Sequence, residues 1–392
     1  MGRVYLDHAA TTPVDPAVVA AMQPYWHETF GNPSSIHAFG REARAAIDTA
    51  RDTVARCLGA RPEEILFTSS GTEANNTVLQ GVFATNLGRG HVVTSAIEHH
   101  AILTTCQHLA PLGLRTTYLP VDQHGLVDPD DVRRAIDRET VLVSVMYANN
   151  EIGTIQPLAE IGRICREAGV PFHTDAVQAP GMLPLRVDDL GVDFLSISAH
   201  KFYGPKGVGV LYARTGTRFA PLLYGGGQER GLRAGTENVA GIVGLAKALA
   251  LAVSGRDAAV AQLTALRDRF IESVLARVEH CRLNGHPTQR LPNNAHFSVE
   301  FVEGEALLLN LDLLGIAASS GSACMSGAQE PSHVLQAIGL PREVAVGSIR
   351  FTLGRSTTAA EVDQAADAFA DTVARLRAMS PFYADAMRTR GR

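Results

Sequence analysis

The chain has 392 residues, 46% apolar and 19% charged, with a formal net charge of -5, the profile of a soluble globular protein long enough for two or three domains. No basic stripe or run of like charge is present, so nucleic acid is not expected as a partner. No apolar stretch reaches the length of a membrane span and the opening MGRVYLDHAATT has no signal-peptide core, so no membrane association and a cytoplasmic location are expected.

From about residue 62, seven short runs predict strands: EILFTSS, HVVTSA, LRTTYLP, TVLVSVMYA, VPFHTDA, DFLSISA and GVGVLYAR. They are rich in Val, Ile, Leu, Phe and Tyr and are bounded by Gly, Pro or polar residues. Between several of them lie helical patterns such as TEANNTVLQGVFATN and DPDDVRRAIDR. This alternation predicts an α/β fold with a mostly parallel seven-stranded sheet covered by helices. Past about residue 236 two long helical stretches follow each other, NVAGIVGLAKALALAV and DAAVAQLTALRDRFIESVLARV. NAHFSVEF and GSIRFTL then read as strands, and EGEALLLNLDLLG and AAEVDQAADAFADTVARLRAM as helices. A smaller α+β domain is expected there, with a boundary near residue 262 inside or beside a long helix.

The five cysteines, Cys57, Cys106, Cys165, Cys281 and Cys324, are odd in number and scattered, with no CxxC spacing. Neither a disulfide framework nor a metal site is expected. Cys57, Cys106 and Cys165 lie among apolar neighbours in helical-looking stretches and read as small buried hydrophobes. Cys324 differs. Its surroundings, SSGSACMSG, are small, polar and Gly-bearing, which predicts a loop. A thiol there can ionise near cationic groups and act as a nucleophile, although an incidental surface thiol fits the same residues.

Five junctions place polar chemistry at predicted strand ends, where α/β proteins bind ligands. Lys201 follows DFLSISAH, and a lysine held near an aldehyde can form a Schiff base. Asp175 ends VPFHTD, where a carboxylate could serve a pyridine nitrogen or cap a helix. Gln178, three residues on, could donate to a phenolic oxygen. Ser69-Ser70-Gly71-Thr72-Glu73 joins a strand to a helix; its amides could bind phosphate, and Ser70 with Glu73 could form a capping box. His99 could stack on a ring and move protons. Asn149-Asn150 follows the strand-like TVLVSVMYA and serves either as a turn or as a hydrogen-bonding site.

Taken together, YLDHAATTPVD, FGNPSSIH, FTSSGTEANN, EHHA, ANNEIGT, HTDAVQ, SISAHKFYGPKG, GGGQERGLRAGTEN, RLPNN, SSGSACMSG, EPSHVL and SIRFTLGRSTT resemble the class V aminotransferases, and within them the NifS/IscS-type cysteine desulfurases. The likeness runs through nearly the whole chain. It implies a fold type I, pyridoxal-5'-phosphate-dependent transferase and a homodimer. The large domain would span residues 16–262, and the small one residues 1–15 and 263–392, carrying the Cys324 loop. It implies that Lys201 bonds the cofactor covalently, Asp175 pairs with its ring nitrogen, Gln178 contacts its phenolic oxygen and His99 stacks on the ring. Gly71, Thr72, Ser198 and His200 would hold the phosphate, joined by Thr236 of the neighbouring subunit. Asn150 and Arg350 would contact the substrate carboxylate, with Arg355 a rival for the arginine role. Cys324 matches the persulfide-forming cysteine. L-cysteine is then the substrate, and a sulfur-acceptor protein, an iron–sulfur scaffold or a thiolation enzyme, the partner. Another transamination or lyase reaction on the same fold, or a non-catalytic partner in sulfur transfer, would use much of the same machinery without the Cys324 chemistry.

Overall fold

The computed structural model describes residues 3–320 and 331–380, with Tyr383 and Arg388. The chain enters through a two-residue strand, β1 (Val4–Tyr5), and two short helices, α1 (Pro16–Met22) and α2 (Pro24–His27). The long helix α3 (Ala38–Leu58) follows, burying Gly40, Ala43, Ile47, Ala50, Val54 and Leu58 at helical spacing and ending on Gly59 with φ of 67°, a left-handed cap that suits glycine. Nothing in the strand-and-helix pattern announces these helices, because much of the buried face of α3 is Ala and Gly.

The main sheet is then built in turn. β2 (Ile65–Thr68), α4 (Gly71–Thr85), β3 (Gly90–Ser95), α5 (His100–Leu109), β4 (Leu114–Leu119), α6 (Pro129–Ala135) and β5 (Thr140–Ser144) form its first part. α7 (Leu158–Ala168), β6 (Phe172–Asp175), α8 (Val187–Leu190), β7 (Phe194–Ser198) and β8 (Gly209–Ala213) complete it. Seven strands run in the order β2-β8-β7-β6-β5-β3-β4. The contacts among β3, β4, β5, β6 and β7 are all parallel, whereas β8 is antiparallel to both neighbours. β2, β3, β5, β6 and β7 therefore all end at the same edge of the sheet. Their near-continuous burial, complete in β2 and β7, is that of strands covered on both faces.

After α9 (Val239–Ser254) and α10 (Arg256–Arg277) come β9 (Cys281–Leu283), β10 (Asn294–Val299), α11 (Gly304–Leu313), β11 (Ile316–Ala317), α12 (His333–Ala337), α13 (Arg342–Ala345), β12 (Ser348–Thr352) and α14 (Ala359–Ala378). A second sheet runs β12-β10-β9, antiparallel throughout. One apolar cluster extends from Val18 to Ala252 around the main sheet. A second gathers Leu263, Phe270, Val274, Phe297, Phe351 and Phe369 with Val4 and Leu6 from the start of the chain. β1 pairs with β11 and Asp7 bridges to Thr352, so the first residues pack with the last third of the chain and then cross to the main sheet. Among the described residues no single helix is long and apolar enough to cross a membrane.

Candidate active site

Strand ends from the main sheet converge on a cavity of about 370 Å³ lined by residues of the β3, β5, β6 and β7 ends and the start of α4. Of the residues singled out from sequence, Gly71, Thr72, His99, Asn150, Asp175, Gln178, Ser198, His200, Lys201 and Arg350 all line it. A larger hollow of about 590 Å³ lies beside the Arg51–Glu229 ion pair, and none of those residues lines it.

Lys201 ends the helical turn after β7. Its Nζ donates to the carbonyls of Ala9 at 2.6 Å and Ala10 at 2.8 Å. Gln178 Nε2 donates to the same Ala9 carbonyl at 3.1 Å. His200 Nδ1 lies 3.2 Å from Thr11 Oγ1, and the His200 carbonyl accepts from the Thr12 amide and hydroxyl. Burial, reinforced by Lys201 and Lys206, pushes the His200 imidazole down to about 4, so it is neutral at neutral pH.

Asp175 is buried at the end of β6. Its Oδ2 accepts from Asn75 Nδ2 at 2.7 Å and its Oδ1 from the Val177 amide at 3.0 Å. The Asp175 side chain is thus held by two donors at the wall of the cavity.

At the start of α4, Ser70 Oγ accepts from the Glu73 amide and Glu73 Oε2 from the Ser69 amide. The local capping thus exists alongside the cavity, with Gly71 and Thr72 presenting the first amides of the helix there. Such amides have no intrahelical partner and favour an anion. Gly71 is required by packing: a Cβ would meet Val177 Cγ2 at 2.7 Å. His99 is the N-cap of α5, its Nδ1 accepting from the Ala101 amide at 3.0 Å. That bond assigns the neutral ring its proton on Nε2. Burial lowers the His99 pKa; Asp175 opposes the shift, and Lys201, His100 and His333 reinforce it.

Of the two asparagines after β5, Asn149 makes the turn, its Oδ1 accepting from the amides of Glu151 and Ile152. Asn150 faces the cavity, and its carbonyl accepts from Arg350 Nη1 at 2.8 Å. The structure separates the two rival arginines. Arg350 lines the cavity and pairs with Asp7, whereas Arg355 stacks on Tyr203, its Cζ 4.4 Å from the ring centroid. Thr236 is exposed and does not line the cavity. Cys324 lies outside the described residues. Described residues on either side of it in the sequence are tied to the site's surroundings: Ser319 exchanges two backbone hydrogen bonds with Arg350, Ser332 Oγ donates to Glu151 Oε2 at 2.5 Å, and His333 Nε2 lies 2.9 Å from the Glu98 carbonyl.

Sequence reading missed Asp7, Ala9, Ala10, Asn75 and Met146 as site residues. The first four sit inside motifs that carry the family resemblance, YLDHAATTPVD and FTSSGTEANN. Their partners, however, lie a hundred or more positions away, and no local pattern encodes such contacts. Asn75 had one available signal: it is four residues beyond Gly71 and so shares its helix face.

The sequence model of the aminotransferase class-V family matches residues 4–365. A relative named cysteine desulfurase IscS, from Dictyoglomus turgidum, is 54% identical over 97% of this chain and 96% of its own. A solved structure titled NifS-like protein superposes with a TM-score of 0.89 at 39% identity, covering 95% of this chain and 99% of the other. Another, titled SspA in complex with cysteine, gives 0.80 at 37% identity over 89% and 98% of the two chains.

Proposed function

The chain belongs to the class-V aminotransferase family, among its NifS/IscS-type cysteine desulfurases, and from that premise we propose that it takes sulfur from L-cysteine, releasing L-alanine and leaving a persulfide on Cys324. The observation that carries this reading is the convergence of Lys201, Asp175, Gln178 and His99 on one cavity that also receives the N-terminus of α4. That set fits pyridoxal 5'-phosphate. Asp175 is a buried carboxylate held by two donors, and it would hold the ring nitrogen. Gln178 would hold the phenolic oxygen and His99 the ring face. Gly71, Thr72, Ser198 and His200 would hold the phosphate, and Lys201 would bind the aldehyde carbon. The cofactor supplies an electron sink for the substrate's α-carbon.

The protein's own groups then have defined tasks. Lys201 Nζ would take the proton from the α-carbon of the substrate. Asn150 and Arg350 hold the substrate carboxylate. Neutral His99, with its proton on Nε2, can donate to a leaving or attacking group and be re-protonated. The Cys324 thiolate attacks the substrate sulfur; an S–S bond forms as the C–S bond breaks, and the electron pair left on carbon is protonated to give alanine. Ser319 bridges to Arg350 at the cavity wall, and Cys324 follows it by five positions in the sequence.

We extend the reading to a homodimer in which Thr236, exposed in the single chain, contacts the phosphate in the neighbouring subunit's site. Trp26, Phe30, Ile36 and Phe39 are exposed within one stretch, as an apolar interface would require. The two apolar clusters support a cofactor domain of residues 16–262 and a second domain of residues 1–15 and 263–392. The persulfide would pass to a sulfur-acceptor protein, an iron–sulfur scaffold or a thiolation enzyme. Incubating the purified protein with L-cysteine and reductant tests the reading: alanine and sulfide form in equal amounts, and a mass increase of one sulfur is found on the Cys324 peptide when reductant is left out. Pyruvate and ammonia in place of alanine would make the protein a lyase instead.

A further inference from the structure

Arg350 lies in β12, 3% exposed. Its Nη2 donates to Asp7 Oδ1 at 2.9 Å and its Nη1 to the Asn150 carbonyl at 2.8 Å. Its Nε is buried and has no partner among the described residues. Three other ionisable groups bear on it. The Tyr5 hydroxyl, which donates to the Asp7 carbonyl at 3.0 Å, is raised by burial and by Asp7 and lowered by Arg350. Burial, with help from Arg350 and Arg290, pushes His296, its neighbour across the sheet, down to about 3, so that ring is neutral. Glu151 is buried, and its carboxyl is raised by that burial. The carboxylate in direct contact with the guanidinium is therefore Asp7. Asp7 is held in place by backbone, since β1 pairs with β11 and Asp7 itself bridges to Thr352 in β12.

A buried guanidinium needs a counter-charge, and here that charge is built in. An incoming carboxylate meets a cation already paired with Asp7 on one side. Two carboxylates sharing one guanidinium repel each other at short range. We propose that Asp7 is a positioning residue that sets the affinity of the site for the substrate carboxylate, acting as a resident counter-ion to Arg350 that weakens the hold on both L-cysteine and the alanine produced from it. The proposal rests on the assignment of Arg350 to the substrate carboxylate. Its consequence is rapid release: alanine keeps the carboxylate of cysteine, so a full-strength Arg350 would retain the product as firmly as it binds the substrate.

The test uses the cofactor-loaded enzyme and two readouts. Calorimetric titration with 3-mercaptopropionate, which has the carboxylate and thiol of cysteine but no amine, reports the carboxylate contact without turnover. Steady-state assays give KM for L-cysteine and the inhibition constant of L-alanine. Asp7→Asn keeps an oxygen acceptor and removes the charge. It is expected to tighten 3-mercaptopropionate about tenfold and to lower KM and the alanine constant together, while kcat does not rise. Asp7→Glu restores the charge and stays within about twofold of the parent in all three constants. If Asp7→Asn fails to fold, Asp7→Ser provides the neutral position with a smaller side chain. An unchanged or weaker 3-mercaptopropionate affinity in a folded neutral variant overturns the proposal and leaves Asp7 a purely structural brace. Arg350→Gln separates that failure from failure of the underlying assignment. It weakens the same titration at least tenfold if Arg350 holds the carboxylate, whereas no change overturns the assignment and the proposal with it.

Discussion

Glu98 shows how far a single residue can depart from its ordinary chemistry in this fold. It is fully buried; Oε1 accepts from Ser95 Oγ at 2.6 Å and the Met146 amide at 2.8 Å, while Oε2 has no partner among the described residues. Burial raises its pKa to about 8, Asp175 adds to the shift, and the two hydrogen bonds oppose it. The folded pKa lies above the unfolded one of 4.5, so its contribution to stability is complete below pH 4.5 and is lost as pH rises through 8. Glu98→Gln cannot ionise and keeps an Oε1 acceptor. Its stability relative to the parent should grow by about 3 kcal/mol between pH 5 and pH 7.5, read from urea denaturation at both values; a difference independent of pH would show that Glu98 is ionised in the folded state. The cysteines supply a second prediction at this scale. Burial raises Cys57 and pushes Cys106, Cys165 and Cys281 up to about 12, which leaves them as slow thiols. Iodoacetamide at pH 7.5 should label Cys324 well before the other four, and Cys324→Ser should remove the fast phase, as mass spectrometry of the labelled peptides will show. Labelling of Cys106 or Cys165 at the same rate would contradict this.

At the scale of elements, strand ends and helix starts assemble the site. Lys201, Asp175 and His99 were legible because each follows an apolar run that reads as a strand, and such ends are where α/β sheets place ligands. Helices α1, α2 and α3 were not legible, since α3 buries Ala43, Ala50 and Ala55 in place of large side chains. Nor was the direction of β8, because an apolar run carries no mark of which way it pairs. The joint between α4 and the loop after β6 is tightly packed. Gly71→Ala drives a methyl into Val177, two residues from Asp175 and next to Gln178. Overpacking of this kind costs about 1–3 kcal/mol. It should also displace both cofactor contacts, so that cofactor retention on gel filtration, followed by absorbance, falls at least tenfold. A variant that keeps its cofactor as the parent does would show that the loop can yield without moving Asp175.

For the molecule as a whole, acid stability follows from buried imidazoles. His173 and His296 are fully buried, and burial holds each at about 3. Here the folded pKa lies below the unfolded value of 6.5, so the stability tied to the neutral rings is present above pH 6.5 and is lost as pH falls towards 3. Each should cost about 2 kcal/mol at pH 5 relative to pH 8. The Glu98 effect runs the other way, so stability should decline on both sides of a maximum near neutrality. Urea titrations of the parent and of His173→Gln locate it, and an acid limb equally steep in the variant would remove His173 from the account. The homodimer proposal belongs at this scale as well. Thr236→Ala should leave the sedimentation coefficient of the dimer unchanged yet weaken cofactor retention, and a monomeric parent would sink the shared-site reading.

The amino-acid order alone determined the alternation of strands and helices, the family likeness and the positions of Lys201, Asp175, Gln178 and His99, because each is written in a few consecutive residues. Only the tertiary structure decided what surrounds them. Asn75 reaches Asp175 across 100 positions, Ala9 accepts from Lys201 across 192, and Asp7 meets Arg350 across 343. Likewise, Arg350 and not Arg355 faces the cavity because β12 pairs with β10 in one register. Local patterns follow from the geometry of a helix or strand, which repeats every few residues. Contacts closed over hundreds of residues depend on how whole layers pack, and short-range periodicity carries no trace of that.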